Sequence, residues 1–355
     1  VKFPWRNAER EGWGDKLLWW PLALPAVLYG GGARFDRWRK QRGRDRPVRV
    51  DARVLSVGGL TAGGSGKTPL AAWIAHALYA RGTKVALLTR GYRRTRGADV
   101  TIASDGQALC AAAAEVGDEA HLLARHASGV PVVVSPDRAL AALRAIALYG
   151  AEVLVLDDGF QHHGLARDLD LVAIDTASGL GNSKLLPRGP LREPLAALGR
   201  ADVIAMVGSA ADEKLVSQVS RLAPDATRFA ARRQPTSLRQ HNGTLEVDPR
   251  VLRDMKVGLL AGIARPESLR ASLEALGAVV IAERVFRDHH RYRARNLRRL
   301  AKQADIWITT EKDAGKIHAD WVREIDLRVL GIRMQVEQPD RVLDQVEARL
   351  GIRRQ

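Results

Sequence analysis

A chain of 355 residues with a formal net charge of +16 and a single cysteine is long enough for two hydrophobic cores and strongly cationic. One thiol, Cys110, excludes an intrachain disulfide framework and a cysteine-ligated metal centre, and it fits a reducing compartment. The charge points to an anionic partner, but scattered arginines carry it, without zinc-finger spacing or an RNP-like aromatic motif, so no nucleic-acid partner is expected.

Five of the eight tryptophans (Trp5, Trp13, Trp19, Trp20, Trp38) fall in the first forty residues. Leu17 to Tyr29 is uncharged and mostly apolar, interrupted by Pro21 and Pro25. Gly30-Gly31-Gly32 and a basic run (Arg34, Arg37, Arg39, Lys40, Arg42, Arg44) follow it. This is short of the roughly 20 apolar residues that span a bilayer, and the flanking charges oppose an export signal. Two readings remain: a helix covering the protein's own core, or an interfacial helix lying on a membrane. Tryptophans beside an apolar stripe and cations favour the second. Residues 1–45 are therefore read as an apolar and basic membrane-associated segment, with an anionic membrane surface as partner.

The strand expected over 53–58 leads into Thr61-Ala62-Gly63-Gly64-Ser65-Gly66-Lys67-Thr68, and the helical spacing of Leu70, Trp73, Ile74, Ala77 and Leu78 predicts a helix over 69–81. Strand, glycine-rich turn, Gly-Lys-Thr and helix make a P-loop. Its backbone N–H groups cradle phosphate oxygens, Lys67 reaches the β- and γ-phosphates, and the Thr68 hydroxyl holds Mg²⁺. Thr61 stands where the strict pattern has glycine; the bland alternative is a turn followed by a helix. A second apolar run, Glu152 to Leu156, ends in Asp157-Asp158-Gly159, placing acids at the carboxyl end of a buried strand as candidate metal ligands.

Further strands are expected over 84–89, 130–134, 152–157, 169–174 and 201–207, with helices over 118–128, 137–149 and 210–222. This alternation predicts an α/β, P-loop NTPase-like, doubly wound and mostly parallel sheet over 46–225. Residues 226–255, with Pro235, Asn242-Gly243 and Asp248-Pro249, read as a connector containing a hairpin. A smaller α/β domain is expected over 256–355, with strands 256–262, 278–284 and 305–310 and helices 266–276 and 294–303.

Other clusters follow in order: Thr89-Arg90-Gly91-Tyr92, Val116-Gly117-Asp118-Glu119, Asp157-Asp158-Gly159-Phe160-Gln161-His162, Leu186-Pro187-Arg188-Gly189-Pro190-Leu191-Arg192-Glu193-Pro194, Phe286-Arg287-Asp288-His289-His290-Arg291-Tyr292 and Thr310-Glu311-Lys312-Asp313. With the loop at 58–69, they resemble the tetraacyldisaccharide 4′-kinase family, the lipid A 4′-kinases, as far as about residue 313. Gly59, Arg93 and Arg287 depart from the family's usual asparagine, glycine and proline, and none removes a group the chemistry needs.

The resemblance implies transfer of the ATP γ-phosphoryl group to the 4′-hydroxyl of an acylated glucosamine disaccharide 1-phosphate, yielding the 4′-phosphorylated lipid A precursor. It implies ATP and Mg²⁺ as cofactors, the lipid as partner without an obligate protein partner, and a peripheral place on the cytoplasmic face of a Gram-negative inner membrane. It also assigns residues. Asp118 matches the family's catalytic aspartate and His289 the histidine that pairs with it, although local sequence alone makes Asp118 a helix N-cap and His289 a loop residue. Arg90, Tyr92, Glu119, Gln161, His162, Arg192 and Glu193 fall in motifs placed around the nucleotide, metal or disaccharide. A membrane-associated P-loop ATPase that switches partners is the competing reading; it would not require Asp118 and His289.

Overall fold

The computed structural model describes residues 20–42, 46–92, 94, 99–288 and 290–352. Two compact units make up the chain: Val1–Arg232 with Gln335–Gln355, and Arg233–Met334.

In the larger unit, helix α1 (Ala23–Arg42) follows a 3₁₀ turn at Trp20–Leu22. Pro25 lies in its first turn, where a missing N–H has no intrahelical partner, so the helix starts despite it. The three glycines expected to bound the apolar run lie inside this helix. Ala26 is buried and Gly30 packs so closely on Leu185 that a Cβ there would meet its Cδ1 at 2.6 Å. Leu24, Val27 and Leu28 share another face at the i, i+3, i+4 spacing and are about two-thirds exposed (67–70%). Among the described residues no helix is long and apolar enough to cross a membrane.

The sheet of this unit is built from β1 (Arg53–Gly58), β2 (Val85–Thr89), β3 (Thr101–Asp105), β4 (Pro131–Val134), β5 (Val153–Asp157), β6 (Leu169–Asp175) and β7 (Val203–Val207), in the order β7-β6-β1-β5-β2-β4-β3. All its neighbours pair in parallel except β3, which is antiparallel to β4. Every residue of β2, β5 and β6 is buried, which is why these strands read as near-continuous apolar runs. Helices α2 (Lys67–Ala80), α3 (Ala113–Val116), α4 (Asp118–His126), α5 (Arg138–Tyr149) and α6 (Glu213–Leu222) complete the βα alternation. Ala141, Ala142 and Ala145 of α5 close one core with Val54, Leu88 and Leu154; Val219 closes another with Phe160, Val172 and Ile204.

The segment expected to be a connector is instead mostly strand. β8 (Thr227–Gln240) pairs in parallel with β7 as far as Ala231 and antiparallel with β9 (Glu246–Val247) from Leu238, and the Asn242-Gly243 hairpin turn joins β8 to β9. Pro235 falls between those two ladders. The smaller unit continues with β10 (Lys256–Ala261), α7 (Pro266–Ala275), β11 (Val279–Val285), α8 (Ala294–Leu297), β12 (Ile306–Thr310), the one-turn α9 (Glu311–Ala314) and β13 (Asp326–Val336), with strand order β11-β10-β12-β13. Successive residues along β10 and β12 serve opposite faces: Val257, Leu259 and Ile308 pack with Leu269 and Leu273, whereas Leu260 and Trp307 pack with Tyr292 and Leu297.

The smaller unit ends before residue 335. Helix α10 (Pro339–Leu350) belongs to the larger unit, whereas the sequence places 256–355 in one domain. Arg81, just past the end of α2, fastens α10: Nη2 donates to Asp340 (2.7 Å) and Nη1 to Asp344 (2.8 Å) and to buried Glu347 (3.0 Å).

Candidate active site

β1 pairs with β5 so that Val57 lies opposite Asp157; the register brings the strand-end aspartates beside the start of the P-loop. Gly63 (φ 117°) and Gly66 (φ 87°) take left-handed conformations that other residues resist, and they curl the loop onto α2. No side chain caps α2 at Gly66, and helix N-termini of this kind receive phosphate oxygens. Lys67 Nζ folds back to the Gly63 carbonyl at 3.2 Å and lies 3.7 Å from Asp158 Oδ1. Thr61 replaces glycine without strain because it is an extended residue bridged to Leu191, and Ala62 N donates to the Pro190 carbonyl at 2.7 Å. The Leu186–Pro194 motif is therefore the wall on which the loop rests.

Asp157 and Asp158 do different work. Asp158 takes a left-handed backbone (φ 53°), tolerable for aspartate, and Arg192 Nη1 donates to both its oxygens at 2.8 and 2.7 Å. Burial pushes the Asp158 pKa up, but Lys67 and Arg192 outweigh it and hold the carboxyl below its usual range. Gln161 extends the chain of contacts, its Nε2 donating to the Gly59 carbonyl (3.1 Å) and its Oε1 lying 3.4 Å from Arg192.

Asp157 is buried, with Thr68 and Thr89 hydroxyls 3.5 and 3.4 Å from Oδ2. Its Oδ1 is buried and has no hydrogen-bond partner. Burial, reinforced by the negative charges of Glu119 and Asp158, pushes this carboxyl up to about 7. An orphaned carboxylate oxygen beside the P-loop threonine is the donor set that suits a hard divalent cation. Among the described residues no group of three or more His, Cys, Asp or Glu gathers, so Thr68 and Asp157 would hold Mg²⁺ with phosphate and water oxygens. Asp158, engaged by Arg192 and Lys67, is better placed to hold those cations than the metal.

An uncompensated buried charge has a measurable signature. The folded pKa of Asp157 lies above the ordinary 3.8, so folding takes up a proton, and this contribution to stability is lost as pH rises through about 7. In chelator-treated protein, Asp157→Asn is expected to raise the melting temperature. The gain should grow between about pH 4 and 7 and stay level above. Mg²⁺-dependent turnover should be lost in the same variant. A melting temperature lower than wild type at pH 8 would mean that the charge is compensated.

The other predicted residues are distributed unevenly. The turn after β2 and the turn before α4 press together: a Cβ on Gly117 would meet the Tyr92 carbonyl at 2.6 Å, and one on Gly91 the Val116 carbonyl at 2.9 Å. This brings Asp118 and Glu119, the first residues of α4, to the carboxyl end of β2, near enough for Glu119 to act electrostatically on Asp157 and Lys67. The N-cap is Gly117, not Asp118, which removes the capping explanation of that aspartate. Arg90 and Tyr92 are exposed at the same strand end, and His162 is half-buried after β5. Glu193 is buried and gives both oxygens to Arg200 (2.9 and 3.0 Å), whose guanidinium lies over Phe160, so it braces the wall. His289 lies outside the described residues.

Arg138 is a site residue that sequence reasoning missed. It is 4% exposed, donates to the Ser135 carbonyl at 2.7 Å and leaves Nε without a partner. Burial lowers its pKa to about 10 against the attraction of Asp157. The signal was a lone arginine on the stripe of Ala141, Ala142 and Ala145, where an apolar residue is expected.

A P-loop on a parallel sheet, with a partly orphaned carboxylate at the neighbouring strand end, defines a nucleotide-binding protein of the phosphoryl-transfer class. Across residues 17–351 the chain matches the family described as tetraacyldisaccharide-1-P 4′-kinase, and it belongs to that family. It is 43% identical over 347 residues to the tetraacyldisaccharide 4′-kinase of Anaeromyxobacter sp. (strain K), spanning 94% of this chain and 90% of that one. It is 36% identical over 342 residues to the enzyme of the same name from Geobacter sulfurreducens, spanning 94% and 95%. The crystal structure of LpxK from Aquifex aeolicus in complex with ATP is similar with a TM-score of 0.73 and 27% identity, covering 94% of this chain and 99% of that one.

Proposed function

We propose that this chain is an ATP-dependent kinase that phosphorylates the 4′-hydroxyl of an acylated glucosamine disaccharide 1-phosphate, making the 4′-phosphorylated lipid A precursor. The observation that carries this reading is the convergence of Lys67, Thr68, Asp157, Asp158 and Arg192 on one P-loop, in a chain that belongs to this family along nearly its whole length. Phosphoryl transfer is mainly positioning and charge neutralisation. Lys67 and the loop amides hold the phosphates of ATP, Thr68 and Asp157 hold Mg²⁺, and Arg192 fixes Asp158 against Lys67. The cation, when bound, neutralises charge on the phosphate oxygens. Asp118 draws the proton from the attacking hydroxyl, and His289 orients and tunes Asp118. Arg90, Tyr92, Gln161 and His162 are proposed to line the nucleotide and disaccharide, with Glu119 setting the local field.

The direct test supplies γ-labelled ATP, Mg²⁺ and an acylated disaccharide 1-phosphate. Label is expected in the lipid, in amounts matching the ADP formed. Hydrolysis to inorganic phosphate with unlabelled lipid would instead support a partner-switching ATPase, which nothing in the site favours.

The same reading places the enzyme peripherally on the cytoplasmic face of the inner membrane, with the exposed stripe of α1 facing the bilayer. Replacing Leu24, Val27 and Leu28 together by serine should weaken sedimentation with anionic vesicles and raise KM for the lipid, while ATP binding and melting temperature stay near wild type. These side chains are exposed, so unfolding of the triple variant would show that the stripe covers a core.

A further inference from the structure

We propose that the smaller unit carries a membrane contact of its own: Arg295, Arg298, Arg299 and Lys302 form a cationic stripe that binds the anionic phosphate headgroups of a bilayer surface. The inference deepens the membrane placement proposed above, which puts an apolar contact on α1 of the larger unit, and it rests on that placement.

Between positions 284 and 302 eight residues are Arg or Lys, all of them exposed, and one, Asp288, is acidic. Lys312 engages Asp288 at 3.1 Å. The four cations of the stripe stand on a continuous stretch: α8, the turn at Arg298-Arg299 and a 3₁₀ turn at Leu300–Lys302. Their i, i+3, i+4, i+7 spacing puts them on one side of it. Leu297, Leu300 and Ala304 take the other side and pack with Trp307, Tyr292 and Ile317. Trp307 Nε1 donates to the Leu300 carbonyl at 2.9 Å, so the stripe stands on a firmly packed base.

Among the described residues none of the four cations makes an ion pair or a side-chain hydrogen bond. Other arginines of this unit do find carboxylates: Arg270 meets Glu274 and Glu283, Arg328 meets Asp326 and Arg333 meets Glu311. Like charges one helical turn apart repel, so the stripe costs stability that an external anion would restore. Three features identify that anion. Guanidinium forks suit phosphate oxygens. The stripe extends on the order of 10 Å along an exposed face, which fits a spread of headgroups better than one small ion. The two aromatic rings of the stretch, Phe286 stacked on His290 and buried Tyr292, present no open face on which a nucleic-acid base could stack.

The test uses the full chain without nucleotide. It measures sedimentation with mixed phosphatidylcholine–phosphatidylglycerol vesicles and with pure phosphatidylcholine vesicles, and melting temperature as the control for folding. The stripe variant combines Arg295→Gln, Arg298→Gln, Arg299→Gln and Lys302→Gln. It is expected to bind mixed vesicles about tenfold or more weakly at about 0.1 M salt, because one cation near an anionic surface typically contributes about fivefold. The difference from wild type should narrow at about 0.5 M salt, where exposed charges are screened. A control variant removes the same charge elsewhere, replacing exposed Lys84, Lys214, Arg221 and Lys256 by glutamine, and should lose far less. Wild-type binding by the stripe variant overturns the inference. So does an equal loss in the control, since net charge alone would then hold the protein to the surface. Tighter binding of an oligonucleotide than of mixed vesicles by wild type, lost in the stripe variant, would assign the stripe to nucleic acid and overturn it as well. A wild-type protein that binds no vesicle defeats the membrane placement itself, whereas label transfer into detergent-dispersed lipid reports separately on the kinase reading. If the stripe variant does not fold, Arg298→Gln with Arg299→Gln makes the same comparison, with an expected loss of about fivefold or more.

Discussion

Lys67→Ala is expected to remove most phosphoryl transfer, lowering kcat by about 10²–10³-fold, the loss typical of deleting one preorganised group that stabilises transition-state charge. The Lys67 ammonium is buried and its pKa is lowered by that burial, with the carboxylate of Asp158 opposing the shift. Asp158, at 3.7 Å, does not fully offset that burial, which leaves the ammonium suited to the phosphate oxygens of a nucleotide. Its removal leaves Asp158 still paired with Arg192 at 2.7 Å, so the fold should survive. Thr68→Ala should give a comparable loss that added Mg²⁺ partly offsets. Both are read by label transfer into lipid at saturating ATP, with melting curves as the control. Near wild-type phosphorylation by both variants would remove the basis for the nucleotide site.

Asp118→Ala should lower kcat by orders of magnitude with little change in ATP affinity, and adding His289→Ala should cost far less than the product of the single effects. The Asp118 side chain is not the cap of its helix. Gly117 takes the capping position, and two glycine-enforced contacts hold the start of α4 against the end of β2. Removal of the Asp118 side chain therefore deletes no helix cap. Fully multiplicative losses in the double variant would mean that Asp118 and His289 act separately.

The parts of the molecule that were legible in sequence are those whose signal is local. Strand β1, the loop through Thr68 and the apolar run ending at Asp157 each announce themselves by composition and period, and the parallel pairing of β1 with β5 follows from the βα alternation. What the second aspartate does was not legible: Asp157 and Asp158 are adjacent and alike, and only the left-handed turn at Asp158 and the approach of Arg192, 34 positions later, separate their roles. Glu193 looks like a ligand beside Arg192 until Arg200 is seen to take both its oxygens. β8 was hidden because its less exposed face carries Thr227, Arg233, Pro235 and Ser237 beside Phe229 and Ala231, so its alternating burial has no matching apolar alternation in sequence. Helix α10 carries ordinary signals: Pro339 at its start, Gly351 at its end, and Val342, Leu343, Val346 and Leu350 on one face. No helix was expected over 339–350, and nothing local says that the chain returns there to the larger unit.

That return bears on how the protein is made. Arg81 meets its three carboxylate partners only 259 to 266 positions later. At about 5–20 residues per second, a ribosome needs roughly 15–50 s to deliver them. The nucleotide-binding half is therefore the first to be translated and the last to be closed. A stop after residue 334 would release a nascent chain whose inserted unit is entire but whose P-loop helix has no α10 to rest against.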